Sequence, residues 1–325
     1  MTDRLRPPPE ERSVSELLSF GVINLNKPAG PSAHQVAGWV RDLASDAVET
    51  RVAADDRGDG NDSDDDVGDD DERKTEPPSV DRAAHAGTLD PKVTGCLPML
   101  LGDATRMAQV FLEGTKEYVA VLELHAPAPT TLESTLEEFE APLYQKPPRK
   151  SAVSRRLRVR EIYELEQLEV RDRQALIRIR CESGTYIRKL CHDLGLALGT
   201  GAHMGQLHRT ATDPFDDRSL VSLQTFADAL AFAGEGDETT LREVVKPAER
   251  ALIHLPRVEI APSAARQVAT GAPVYAPGVI SAEDADEGQL VACHTPNGSA
   301  VCLGERVGDP HADSGVAVSL VRVLV

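Results

Sequence analysis

Residues 85–95 read His85-Ala86-Gly87-Thr88-Leu89-Asp90-Pro91-Lys92-Val93-Thr94-Gly95, and an apolar run, Cys96-Leu97-Pro98-Met99-Leu100-Leu101, follows at once. Taken alone, Asp-Pro after a glycine is a turn signal. Its neighbours add a second reading. Gly87 and Gly95 bracket a loop packed against the apolar run, where a carboxylate is partly desolvated and needs either a cation or a chemical task. A positioned aspartate can serve as nucleophile or general base.

Upstream, Gly21–Leu25 reads as a short apolar strand, and Asn26-Lys27-Pro28-Ala29-Gly30-Pro31 as a rigid turn. Ser32 with Gln35 three residues on opens a helix by a capping box, and Ala33, Val36, Ala37, Val40 and Leu43 recur at helical spacing. Residues 1–19 read as a flexible lead. Downstream, Asp103 is expected to cap a helix over Ala104–Leu112, and Tyr118–Leu124 alternates as a strand. Pro127–Pro148 reads as a loop with a short helix at Leu132–Phe139. In Leu176–Cys181, Ile177, Ile179 and Cys181 share one face. Gly184 then turns the chain into a helix carrying Ile187, Leu190, Cys191 and Leu194. Helical residues near 222–233 are followed by a Gly/Glu linker at 234–238. From Leu255 short β-like segments alternate with Pro/Gly turns, which predicts a small β-rich unit over 254–325. The preceding unit spans 20–250.

At 325 residues the chain suits two domains, and 41% apolar with 27% charged residues is a globular composition. The net charge of −18 excludes a uniformly basic nucleic-acid binder, but the charge is uneven. Residues 55–72 hold eleven acids against one Arg, leaving −8 for all the rest. The stretch from about 46 to 80 has almost no large apolar residue, so it reads as a disordered acidic insertion. Conversely, residues 145–160 (QKPPRKSAVSRRLRVR) hold seven basic residues and no acid. Such a run is either a solvated face or an extended segment that tracks phosphates. Lys supplies only 8 of the 35 basic residues. Few lysines and many carboxylates suit a cytosol of high salt, where screening weakens self-repulsion, and they point to a halophilic source.

The five cysteines form no CxxC pair, which argues against a disulfide framework and a Cys-rich zinc site. No apolar run approaches the ~20 residues of a membrane span, and the first residues lack a signal-peptide core. A cytoplasmic protein is expected. The histidines show no metal-ligand spacing and no GxxxxGK[ST] occurs, so neither a metal site nor triphosphate chemistry is read here. Arg188, just inside a helix start, is mildly disfavoured by the positive helix end, and an anionic partner, carboxylate or phosphate, accounts for it better than solvent does. Tyr118 and Tyr186 are two of only five tyrosines. Either is plain core or an aromatic face for a flipped base.

Six stretches then combine: Asn24-Leu25-Asn26-Lys27-Pro28-Ala29-Gly30, the block around Asp90, GTKEY ending at Tyr118, SAVSRRLRVR, SGTYIRKL and GAHMGQLHRT. Together they run in order over most of residues 20–215, and the sequence resembles the TruB/dyskerin family of RNA pseudouridine synthases. The wording is most similar to the archaeal and eukaryotic branch. One departure stands out: Leu207-His208-Arg209 replaces an expected Leu-Arg-Arg run. The resemblance implies an α/β (α+β) pseudouridine-synthase fold on a mixed, mainly antiparallel sheet, a C-terminal PUA RNA-binding domain, and no cofactor.

By the same resemblance, Asp90 is the nucleophile, Tyr118 stacks on the base and helps with the proton at C5, and Arg188 pairs with Asp90. Tyr186 lines the pocket, Leu207 packs beside the base, His85 lies near the flipped nucleotide, and Lys27 and Pro28 brace the catalytic loop. Arg155, Arg156 and Arg158 are candidate phosphate contacts. The implied partners are tRNA, modified at uridine 55, and H/ACA guide RNA with small ribonucleoprotein proteins. The rival class is a non-catalytic RNA-binding or assembly scaffold using the PUA domain and the basic segment. Asp90, Tyr118 and Arg188 together favour the enzyme, because an aspartate in a scaffold's RNA cleft opposes phosphate. If Arg155, Arg156 and Arg158 meet phosphates, neutralising each should flatten the log–log salt dependence of tRNA binding by about one unit. An unchanged slope places them on a solvated face.

Overall fold

A computed structural model describes residues 5–58, 80–112, 114–147 and 156–325, with side chains of 51–58 left aside. Two sheets organise it. In chain order the first part comprises helix α1 (Val14–Ser19), strand β1 (Gly21–Lys27), helix α2 (Ala33–Gly58), β2 (Ala83–His85), β3 (Thr94–Leu101) and β4 (Lys116–Leu124). Then come α3 (Leu132–Glu138), β5 (Pro142–Gln145), β6 (Arg158–Arg171), β7 (Gln174–Cys181), α4 (Ile187–Ala197) and β8 (Ala202–Thr212). The two-residue strand β9 (Phe215–Asp216), α5 (Leu223–Gly234), α6 (Thr239–Val244) and β10 (Lys246–Pro247) complete this part.

The first sheet runs β10-β1-β3-β8-β4-β7-β6-β5, with β2 on β3 and β9 on β8. Its named strands pair antiparallel except β3 with β8, which is parallel. The sheet is therefore mixed and mainly antiparallel, as expected. Alternation explains it locally: in β4, Lys116, Tyr118, Ala120, Leu122 and Leu124 are buried and the residues between them half-buried. Helices α2, α4 and α5 seal that face with Val36, Val40, Leu190, Leu194 and Phe226.

The second sheet is built from β11 (Arg257–Ile260), β12 (Val274–Tyr275), β13 (Val279–Ala282), β14 (Leu290–His294), β15 (Ala300–Arg306) and β16 (Val316–Val323), with helix α7 (Pro262–Ala269) beside it. One apolar cluster runs through both parts, joining Phe20, Leu100, Phe111 and Leu252 to Ala292, Leu303 and Leu324.

Several expectations need correction. The acidic insertion does not begin near 46, because α2 continues to Gly58 and buries Ala44 and Val48. Small apolar residues four apart keep that helix on the core despite its charge. Residues 59–79 lie outside the described residues. Asp103 caps no helix: a 3-10 helix over Gly102–Phe111 follows Leu101, and Asp103 instead gathers Arg6, Arg82 and Arg106. Residues 234–238 are a tight turn from α5 into α6 rather than a linker.

The lead segment is likewise bound. Ser13 and Glu16 form a capping box, and Val14, Leu17 and Leu18 are buried. Arg12, 1% exposed, makes a two-pronged ion pair with Glu249, whose Oε1 also accepts from the Ala300 amide at 3.0 Å. Ser299 donates to the carbonyls of Arg6 and Pro7. Arg6 stacks over Phe20, 4.0 Å from the ring centre. Residues 6–12 thus strap the second sheet to the first. Arg12→Met leaves the half-buried Glu249 charge with the Ala300 amide but without its Arg12 partner, and should cost about 3 kcal/mol of unfolding free energy, read by denaturant titration in molar salt.

Candidate active site

The site grows from one lateral row across the sheet. Lys27 on β1 faces Gly95 on β3, Gly95 faces Arg209 on β8, Arg209 faces Tyr118 on β4, and Tyr118 faces Ile179 on β7. Side chains opposed in register share a face. Gly95 is required here: its φ is +100°, and a Cβ would lie 2.3 Å from the Arg209 carbonyl oxygen.

Lys27 is wholly buried, and its ammonium donates to the carbonyls of Pro28 (2.9 Å), Pro91 (3.1 Å) and Val93 (2.8 Å). Burial lowers its pKa, while the charge of Asp90 opposes that shift. The Gly30 amide also donates to Pro91, at 2.8 Å, and the Val93 amide to the Asp90 carbonyl, at 2.9 Å. With Leu89 and Val93 buried on either side, the loop backbone is pinned and Asp90 stands at its crest. Its side chain is 55% exposed. The expected partial desolvation is therefore not supplied by the protein alone; the carboxylate stands open to solvent beside Arg188.

Arg188, in the first turn of α4, donates to Asp90 Oδ2. Tyr186 precedes it, half-buried, with its amide donating to Gln145 Oε1 at 2.8 Å. Gln145 pairs with Arg158, so Arg158 lies one strand from the Tyr186 turn. Arg156 is exposed just before β6, and Arg155 lies outside the described residues, as do residues 148–154. Arg160, another cation of that run, is committed to Glu182 at 2.7 Å. Leu207 is half-buried on β8 against the main core. Pro28 is exposed, contributing only its carbonyl. His85 ends β2 half-buried with Nδ1 unpartnered, its pKa lowered by burial and by the charge of Arg209. His208 bonds the Thr94 hydroxyl at 2.8 Å, tying β8 to the end of the Asp90 loop.

Sequence reasoning missed Arg209 as part of this centre. Only 2% exposed, it donates from Nε to the Cys96 carbonyl (2.7 Å) and from Nη2 to that of Gly87 (3.3 Å). A separate depression lined by Glu117, Asp213, Asp216 and Asp217 lies apart from Asp90, and its acidic rim opposes RNA phosphate.

Residues 75–131 match the TruB family pseudouridylate synthase N-terminal domain, 188–253 the tRNA pseudouridylate synthase B C-terminal domain, 7–37 the DKCLD domain and 256–309 the PUA domain. The chain belongs to the TruB/dyskerin family of pseudouridine synthases, which are isomerases. It is 57% identical to the probable tRNA pseudouridine synthase B of Haloarcula marismortui, over 99% of this chain and 94% of that protein. The corresponding protein of Methanopyrus kandleri is 42% identical over 98% and 86%. Among solved structures, a Cbf5-Nop10-Gar1 complex superposes with a TM-score of 0.83 at 36% identity, covering 100% of this chain and 91% of that one. An H/ACA ribonucleoprotein bound to substrate RNA gives 0.82 at 34%, with coverage of 100% and 91%. Among the described residues no helix is long and apolar enough to cross a membrane.

Lys27→Met keeps the stem and removes the three donors. The Val93 and Gly30 amides should then exchange hydrogen about tenfold faster, the equivalent of one lost hydrogen bond, as read by exchange mass spectrometry. Unchanged exchange would show that the loop holds without Lys27.

Proposed function

We propose that this chain isomerises uridine 55 in the TΨC loop of tRNA to pseudouridine, with Asp90 as nucleophile. The ion pair of Asp90 with Arg188, exposed at the crest of the loop, carries the reading. It aims a carboxylate where a flipped base can enter, with Tyr118 and Tyr186 supplying aromatic faces. The names of the haloarchaeal relatives support tRNA as substrate. The chemistry asks for little else: the N-glycosidic bond breaks, the uracil turns, and C5 rejoins C1′, with no net redox change. Arg156 and Arg158 near the Tyr186 turn would meet phosphates, and the second sheet would grip RNA as a PUA domain. Such an enzyme works in the cytoplasm, on tRNA.

A second reading is favoured by the full-length likeness to Cbf5 bound to Nop10 and Gar1. On that reading the chain also serves as catalytic subunit of an H/ACA particle, acting on guide-selected uridines. Incubation with tRNA transcript, with and without guide RNA and small partner proteins, separates the two.

The deciding substitution is Asp90→Asn, which keeps shape and removes the negative charge. Transcript binding should persist while tritium release from C5-labelled uridine falls below detection. Arg188→Met should bind equally and turn over about a hundredfold more slowly, the scale of losing one preorganised polar group. Full turnover by Asp90→Asn would sink the mechanism, and parallel loss of binding and turnover would make Asp90 structural.

A further inference from the structure

Beneath the Asp90 loop lie two buried cations whose hydrogen bonds go to carbonyls. Lys116, 3% exposed, donates to the Phe111 carbonyl at 2.9 Å, and Arg209 to those of Cys96 and Gly87. Among the described residues neither forms an ion pair. Burying two like charges side by side is costly, and the cost appears on Lys116. Burial first, then the nearby Arg209 charge, bring its pKa down to about 8, while the charge of Asp213 opposes them. Arg209, with no ion pair among the described residues, favours any negative charge that forms beside it.

The neighbour able to take that charge is Tyr118, opposite Arg209 in register and within hydrogen-bonding reach of it. The groups facing the Tyr118 hydroxyl are Arg209 from β8, Cys181 from β7 and Cys96 from β3. Both thiols are buried and raised to about 12, which leaves Arg209 as the charged one. Burial raises the Tyr118 phenol and Arg209 opposes the rise.

We propose that Arg209, backed by Lys116, is a positioning residue that fixes the Tyr118 hydroxyl against the Gly87 turn and stabilises negative charge on its oxygen. This rests on the reading of the site as a pseudouridine synthase. After C5 has bonded to C1′ it still carries its hydrogen. That proton passes to the Tyr118 phenolate, and the C–H electron pair forms the C5=C6 double bond. The electrons of the N1=C6 bond move to N1, which takes a proton from water. The Tyr118 phenol then returns its proton to solvent. Arg209 touches none of the reacting atoms; it sets the readiness of the oxygen that does.

The test uses full-length protein in molar salt, with Arg209→Lys and Arg209→Met. Ultraviolet difference titration, with Tyr118→Phe identifying the signal, should show the Tyr118 phenol ionising about one pH unit higher in Arg209→Met, and less displaced in Arg209→Lys. Below that midpoint, tritium release from C5 should fall about tenfold, since one unit of pKa is a tenfold change in phenolate. Transcript affinity should stay within about twofold. Incorporating 3-fluorotyrosine, a more acidic phenol, at position 118 should restore the rate of Arg209→Met. Loss of activity with an unmoved Tyr118 titration and no fluorotyrosine rescue would overturn the proposal and leave Arg209 a packing residue. Should Arg209→Met fail to fold, Arg209→Lys carries the same titration test, with the smaller displacement. Wild-type protein that releases no tritium would refute the synthase reading itself, a result distinct from either.

Discussion

The contact on which the molecule turns is the parallel meeting of β3 and β8 at Gly95 and Arg209. A side chain at position 95 would collide with the neighbouring backbone. Because the glycine lets the strands close, the Arg209 guanidinium can bond carbonyls on both sides of the turn leading to Asp90. Lys27 does the same from the other flank. The exposed carboxylate is thus carried on a backbone that buried cations hold by hydrogen bonds alone. Rigidity comes from below, and the upper side stays open to a nucleic acid.

Much of this was legible before any coordinates. The Asp90 loop, the alternation of β7, the helix bearing Arg188 and the Ser32–Gln35 cap are all local patterns. What escaped is long-range or disguised. Strand β6 has charged residues through most of its length, and its outward Glu166 pairs with Arg178 across the sheet, so no apolar alternation announced it. Arg209 stood only as the end of a Leu-His-Arg run, because its burial depends on β3, more than a hundred residues earlier in the chain. Arg12 looked like part of a loose lead for the same reason: its partner is Glu249.

The charge distribution reads differently once folded. The net −18 belongs largely to the surface and to the acidic stretch, while the interior on β1, β4 and β8 is positive through Lys27, Lys116 and Arg209. At high ionic strength the surface charge is screened over about a few ångström, yet buried charges are screened much less. The buried cations under the sheet are therefore insulated from the salt that shapes the exterior, whereas the exposed Asp90–Arg188 pair is not.

The strap at residues 6–12 bears on how the molecule is made. Arg6 donates to the Leu324 carbonyl, and Arg12 meets Glu249 and, through it, Ala300. At about 5–20 residues per second on the ribosome, residue 6 waits roughly 15–60 seconds for its partner. Until then Phe20 lacks the Arg6 that covers it and the shared apolar cluster lacks Leu324. The nascent chain thus passes through an interval with residues 6–12 synthesised but undocked, until the segments around Glu249, Ala300 and Leu324 have followed.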